Sequence, residues 1–320
     1  MFALVLAALT AVLLGVGLSV GSAGWQPLAL AGDLQDAIVW QIRMPRSLGA
    51  WLAGALLGLA GALAQGLLRN PLADPYLLGS ASGAGLGVAL LLAATGVSPL
   101  AAGGWAGHIG LSGAAFAGSV LAVLLTLTLS RGMQQTVRLL LAGIIVGMVL
   151  GAGTALIMFR VPEVMRAMQG FLFGSTSFIG WPGVQLLAAA LAASLLVSLG
   201  LGRALDALAL GEATAASLGV ALGPVRVVLV AVLALATGVA VAQVGLIAFV
   251  GLAAPHLVRA AVQPTHRALL PLAAGAGGVL LLAADVLARG LVAPQELPVG
   301  ALTAALGGIY LLWLMRRRLR

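Results

Sequence analysis

The chain has 320 residues, of which 62% are hydrophobic and 8% are charged, and its formal net charge is +8. Soluble globular domains carry about a quarter charged residues, so this composition excludes a water-soluble globule and indicates an integral membrane protein. The sequence contains neither Cys nor Lys, which excludes disulfides, thiolate metal sites, Schiff bases and a P-loop for ATP.

The predicted elements are apolar helices that each cross a bilayer. A helix needs about 20 apolar residues to cross the hydrocarbon core, and the chain lacks the alternating short strands of a membrane barrel. We therefore predict an all-α integral membrane protein. Strong apolar runs lie at about 2–20, 48–68, 76–95, 109–129, 138–159, 184–201, 226–249, 268–288 and 298–315.

A shorter apolar piece, Gly251 to Val262, is predicted to be a tenth span, partly buried in protein. Ten spans place both termini in the cytoplasm. That topology puts 11 arginines inside, four of them among the last five residues, and 5 outside, in agreement with the positive-inside rule. The same distribution argues against nucleic acid as a partner. The first run could instead be a signal peptide, but it has no basic n-region and is longer than such segments.

Two segments between the spans exceed 20 residues, at about 160–182 outside and about 202–225 inside. The other segments are too short for a separate soluble domain, so residues 1–320 are predicted to form one transmembrane domain. The inner segment reads as two short helices, broken at Gly211 and ended at Gly219. Glu212 falls in the first turn of the second helix, where the dipole favours an anion. This segment could dock on a partner protein or lie in the membrane interface.

Charge within the spans is scarce. Only Asp285 lies clearly inside one, and Arg289 follows at i+4, the spacing of a helical ion pair near the membrane edge. An ion-coupled carrier normally has carboxylates or His at the midplane, so their absence argues against secondary transport. Arg43, Arg46 and Arg289 stand on the predicted outer side, where they could meet an acidic partner surface or lipid phosphate.

Glycines recur every four residues on three spans. Such a smooth face lets backbones approach closely, and it fits packing within one subunit, a homodimer seam or a pore lining. The positions are Gly143, Gly147 and Gly151 on the fifth span, Gly54 and Gly58 on the second, and Gly83 and Gly87 on the third.

Seven segments in chain order carry a specific pattern. They are VWQIRMPR (39–46), RNPLADPYLLGSASGAGLG (69–87), RLLLAG (138–143), LGEATAASLG (210–219), GLIAFVGLAAPHLVR (245–259), HRALLP (266–271) and ADVLARGLVAPQELPVG (284–300). Together they resemble the FecCD-type permeases of ABC importers for iron–siderophore, haem and vitamin B12, from residue 38 to nearly the end of the chain. The first and fourth segments look most like the vitamin B12 importers of that family.

The resemblance implies a type II ABC importer permease fold, with about ten transmembrane helices and a homodimer that encloses one translocation path. It implies two cytoplasmic ATPase subunits below, a periplasmic substrate-binding protein above, and a place in the inner membrane of a bacterium. The chain would be a transport subunit and not an enzyme, with no catalytic residue, cofactor or metal of its own.

The resemblance also implies roles for individual residues. It assigns Gly211, Glu212 and Gly219 to ATPase coupling. It pairs Arg43, Arg46 and Arg289 with Glu residues of the binding protein. The path and its cytoplasmic gate would be formed by Ser82, Gln135, Thr136, Val137, Gly143, Gly147 and Gly151. Val137 stands where the vitamin B12 permeases lead us to expect a hydroxyl residue.

The segments rank the substrates only loosely. RNPLADP resembles both siderophore and haem permeases, while VWQIRMPR leans towards vitamin B12. We rank an iron–siderophore first, vitamin B12 a close second and haem third. An ion-coupled secondary transporter and a non-transporting membrane scaffold are the alternative functions.

Overall fold

The computed structural model describes residues 1–21, 24–25, 33–96, 105–130 and 136–318. Helices dominate these residues, because long apolar runs in a bilayer must satisfy their backbone hydrogen bonds internally. A two-residue antiparallel pair, β1 (Val20–Gly21) and β2 (Gly24–Trp25), is the one sheet among the described residues. A π-helical turn (Val39–Arg43) runs into the third helix, and a 3-10 turn (Pro75–Leu78) precedes the fourth.

The α-helices follow one another with short connections. They are α1 (Phe2–Ser19), α2 (Asp33–Ile38), α3 (Met44–Leu68), α4 (Ser80–Thr95), α5 (Trp105–Leu129), α6 (Thr136–Arg160), α7 (Pro162–Phe173), α8 (Trp181–Gly200), α9 (Gly202–Ala209), α10 (Glu212–Ser217), α11 (Leu222–Val244), α12 (Val250–Val262), α13 (His266–Gly290) and α14 (Val299–Arg318).

The described residues hold ten apolar helices, the number of spans that the sequence predicts. Within the described residues, seven helices are long and apolar enough to cross a membrane: α1, α3, α5, α6, α8, α11 and α13. Three shorter apolar helices, α4, α12 and the apolar part of α14, complete the set. The predicted tenth span at Gly251–Val262 is α12, whose bounds are Val250–Val262.

Helix α3 lies at the centre of the bundle, with 83% of its most apolar stretch buried, whereas the corresponding share is 11% in both α1 and α6. It packs along α13 through small residues. A Cβ at Gly54 would lie 2.3 Å from the carbonyl oxygen of Gly277, so neither helix could approach so closely with a larger residue. These glycine faces therefore serve packing within the subunit. A similarly close approach joins α4 to α5 at Gly83, Gly87 and Gly118.

Both long segments between the spans contain helices, and those of the inner segment are predicted from the sequence. The outer segment, about 160–182, holds α7, which begins at Pro162 and buries Val164 and Met168 on one face. A proline at the first helical position and apolar residues four apart are typical of an amphipathic helix. The inner segment holds α9 and α10 with the predicted break between them: Gly211 has φ +112° and Gly219 has φ +83°.

Candidate functional site

A buried cluster of charges joins α3 to α13 near one end of the bundle. The Arg46 guanidinium contacts the Asp285 carboxylate, with Nη2 and Nε each 3.1 Å from Oδ1. Its Nη1 lies 2.9 Å from Oε1 of Glu296 in the segment after α13. Arg289 Nη2 lies 2.6 Å from the other Asp285 oxygen. Two arginines and two carboxylates thus compensate one another, which buried charges require.

Hydroxyl groups complete the hydrogen bonding of both carboxylates. Thr176 donates to Asp285 Oδ1 at 2.5 Å, and Ser177 donates to Glu296 Oε2 at 3.0 Å. Burial raises the pKa of Glu296, but the hydrogen bond and charge of Arg46 outweigh it, so the net pKa is below its usual value. The segment between α7 and α8 is therefore tied to α13 through the charge cluster.

The predicted Asp285–Arg289 pair exists, but it lies in the protein interior and not at an exposed helix end. Asp285 is 0% and Arg289 1% exposed. The sequence pattern shows the i,i+4 spacing but not that other helices cover both residues. The Arg289 guanidinium also donates hydrogen bonds to the carbonyl oxygens of Gly17 and Val20 and to the Ser47 hydroxyl, all within this chain.

The three arginines assigned to binding-protein contact differ in their surroundings. Arg46 is 7% exposed and Arg289 is 1% exposed, and both pair with acids of this same chain. Arg43 is half-buried and donates to the carbonyl oxygen of Leu18 at 2.9 Å. Sequence reasoning missed Glu296. It is an acidic residue in a connecting segment, and nothing in the sequence around it indicates that it pairs with Arg46.

At the opposite end, Glu212 anchors α10 to the bundle. Its carboxylate lies 2.5 Å from Arg226 Nη2, at the start of α11, and 3.5 Å from Arg69 Nη2, just after α3. The neighbouring helix α9 is held through Asp206, whose carboxylate contacts the backbone N–H and ring Nδ1 of His266 at 2.9 and 2.7 Å. The α9–α10 pair is thus tied to three long helices.

Two leucines of this inner segment are exposed although they are large and apolar. Leu210 is 68% and Leu218 is 63% exposed, and they flank α10 on either side. Large exposed apolar patches mark sites of protein interaction, and both leucines lie on the segment that the resemblance assigns to ATPase coupling. Gly211 and Gly219 adopt positive φ next to these leucines and set the turns that present them.

The structure brings three of the predicted path residues together. A Cβ at Gly143 would lie 2.2 Å from the carbonyl oxygen of Leu77, so α6 packs closely on the turn before α4. One turn further, a Cβ at Gly147 would lie 3.5 Å from the Ser82 hydroxyl. Gly151 would meet nothing within 4 Å and takes no part in this contact.

The predicted gate lies largely outside the described part of the chain. Gln135 is outside the described residues. Thr136 and Val137 begin α6, but their side chains are not among those that the structure describes. Among the described residues, no three His, Cys, Asp or Glu side chains gather where they could hold a metal ion.

Helix α6 presents a large apolar face to the outside of the single chain. Because the helix is long enough to span a membrane and so little of it is buried, lipid or another protein copy must cover this face. The exposed side chains are Leu141, Ile144, Ile145, Met148, Val149, Leu156 and Phe159.

Comparison with known proteins identifies the family. Residues 3–317 match the FecCD transport family. The chain is 40% identical to the vitamin B12 import system permease protein BtuC of Citrobacter koseri, over 79% of this chain and 74% of that protein. It is 39% identical to the BtuC protein of Salmonella schwarzengrund, over 81% and 77% of the two chains.

A solved structure shares the fold. An inward-facing metal-chelate type ABC transporter matches with a TM-score of 0.85 and 27% identity, over 98% of this chain and 97% of that one. The helical architecture and the matched length agree with the sequence comparison. The chain therefore belongs to the FecCD transport family and is a membrane permease of an ABC importer, not an enzyme.

Proposed function

We propose that this permease carries vitamin B12, or a metal chelate of similar size, from the periplasm to the cytoplasm. Two features support this substrate: the BtuC relatives at about 40% identity, and spans that offer almost no charged groups to a bare ion. The relatives favour vitamin B12 over the iron–siderophore that the segment patterns rank first. A siderophore complex is the second candidate, supported by the likeness to a metal-chelate transporter.

The exposed face of α6 suits a homodimer. In this arrangement two copies would bring their α6 helices together around one path, with Ser82 and Gly147 beside it. Gly143 would hold α6 against the turn before α4, so that the path wall moves as one body with its neighbours. The support is the large apolar face of α6, which the rest of its own chain leaves exposed.

The inner α9–α10 segment is proposed as the ATPase contact. Leu210 and Leu218 would enter a groove on the partner, while Glu212, held by Arg226 and Arg69, transmits the movement. Since these ion pairs join α10 to α3 and α11, a displacement of the segment passes to helices that cross the membrane. Such rigid-body movement of packed helices is an established route to alternating access.

The end that carries the charge cluster is proposed as the docking surface for a periplasmic binding protein. Arg43 is the best candidate for direct contact, because it is only half-buried, whereas Arg46 and Arg289 are almost completely buried. Those two arginines would act from inside, by fixing the position of the segments that form the surface. With this end facing the periplasm, both termini would lie in the cytoplasm, and the protein would lie in the inner membrane of a bacterium.

Reconstitution tests the proposal. Proteoliposomes containing the permease, its ATPase subunits and its binding protein should accumulate cyanocobalamin when ATP is inside, and none without the ATPase. A ferric siderophore offered under the same conditions should accumulate far less. Uptake of the siderophore alone would overturn the vitamin B12 assignment. Uptake driven by an ion gradient without the ATPase would favour a secondary transporter.

A further inference from the structure

A cavity of about 870 Å³ opens between α5 and α8, apart from the proposed path at α6. Helix α11 packs against both helices and forms its floor, and α7 closes it at one end. We call this cavity the α5–α8 cleft. Its volume lies within the range of about 300–1,000 Å³ that is typical of small-molecule sites. Because its walls are membrane spans, the cleft lies at the depth of the bilayer.

The cleft is open on the side away from the bundle. Gly113 of α5 and Leu186 and Ala193 of α8 line it and are all exposed. An opening between two spanning helices faces lipid in a single chain. A ligand that reaches the cleft sideways must therefore come from the membrane itself.

Polarity changes along the cleft. One end holds Gln243, the penultimate residue of α11, whose Nε2 donates to the Ser112 hydroxyl at 3.1 Å. A Gln side chain has two N–H groups and a carbonyl oxygen, and among the described residues the Gln243 side chain forms no hydrogen bond other than that to Ser112. Gly183 faces this amide, since a Cβ there would lie 2.6 Å from its Oε1. The polar end thus has capacity for a ligand.

The remaining wall is apolar and extends inward from that end. Leu235 lies eight residues from Gln243 on α11, which corresponds to about 12 Å along the helix. That length is close to half of a hydrocarbon core of about 30 Å. A second cavity, of about 240 Å³, shares Phe116 and Leu235 with the first and is lined by apolar residues alone. The apolar floor therefore continues past the middle of α11.

We propose that the α5–α8 cleft binds one acyl chain of a membrane phospholipid. The polar end lies where α11 meets the membrane surface, so the ester carbonyl of a lipid would accept from the Gln243 amide. The chain would then follow α11 along Val239 and Leu235. No described charged side chain lines the cleft, which suits the neutral ester region and disfavours the phosphate itself.

Photocrosslinking tests this site. The permease is reconstituted with a phospholipid that carries a diazirine in one acyl chain, irradiated and digested, and the labelled peptides are quantified by mass spectrometry. We expect peptides from the cleft walls on α5, α8 and α11 to be labelled several-fold more than α1, which is exposed to bulk lipid. Equal labelling of α1 and the cleft walls would overturn the proposal.

Matched variants show whether the label reports the cleft. A Cβ at Gly113 meets nothing within 4 Å, so the side chain of Gly113→Phe has space at its base to enter the cleft and should reduce its labelling several-fold. Gly200→Phe is the control, because Gly200 has equal space but lies at the far end of α8. If Gly113→Phe does not fold, Ala193→Phe fills the cleft from the opposite wall. Unchanged labelling in a folded filling variant, or displacement of the label by cyanocobalamin, would contradict a lipid site.

Discussion

Arg46 and Asp285 form a buried ion pair between α3 and α13, with two guanidinium nitrogens 3.1 Å from one carboxylate oxygen. Their positions are 239 residues apart in the chain. The same carboxylate also accepts hydrogen bonds from Arg289 and Thr176. Asp285 therefore supplies the negative charge that the two buried arginines share.

Replacing Asp285 with Asn should destabilise the protein strongly. Two buried arginines would lose their shared counter-charge, and breaking a buried pair in this way costs about 3–5 kcal/mol. Thermal unfolding in detergent measures the effect. Glu163→Gln is the control, because Glu163 forms only an exposed pair with Arg166 and should change stability little. Equal stability of the two variants would show that Asp285 does not neutralise the two buried arginines.

The contribution of Glu296 to stability should depend on pH. Its pKa is lower in the folded protein than in the unfolded chain, where it is about 4.3. The stabilisation is therefore fully present above that value and is lost as the pH falls through the folded-state pKa. We expect wild type to be more stable than Glu296→Gln at pH 7 and the difference to shrink below about pH 4. A difference that stays constant from pH 7 to pH 3 would contradict the pairing with Arg46.

Charge reversal at Glu212 should impair assembly with the ATPase. Glu212→Arg would face Arg226 and Arg69 and displace α10 from the bundle. Adding Arg226→Glu restores one ion pair of opposite polarity and should recover part of the assembly. Copurification of the ATPase subunits and substrate uptake are the readouts. Full assembly of the single variant would show that the position of α10 is not needed for coupling.

A direct contact on the ATPase is tested separately by Leu210→Asp. This side chain is exposed, so the change should leave thermal stability unaltered while it weakens ATPase binding. Ala268→Asp is the matched control, because Ala268 is also exposed but lies in the first turn of α13, outside the α9–α10 segment. Normal binding by Leu210→Asp would exclude this leucine from the contact.

Adding a methyl group at Gly143 should disturb the path, whereas the same change at Gly151 should not. The Cβ of Gly143→Ala would lie 2.2 Å from a backbone oxygen, so α6 must move away from the turn before α4. Gly151→Ala meets open space and gains helix propensity of roughly 1 kcal/mol. Uptake rate and thermal unfolding of the two variants provide the comparison. Equal behaviour of both would mean that α6 does not depend on this contact.

Sequence alone could establish the class of protein and its helices. Apolar runs and the arginine distribution predict ten spans, including the short α12, since a bilayer imposes a length and a polarity on each element. The segment pattern identifies the family, and the glycines at 211 and 219 mark the breaks of the inner segment because a positive φ favours glycine.

Only the tertiary structure could assign partners across the chain. The pattern around Asp285 shows Arg289 one helical turn away, but neither Arg46 nor Glu296 is near it in sequence. The same holds for Glu212 with Arg226 and for Gln243 with Ser112. Periodicity reports which face of a helix is apolar, whereas the identity of the neighbour depends on how helices pack. For this protein, the sequence determined what crosses the membrane, and the packing decided which charges meet inside it.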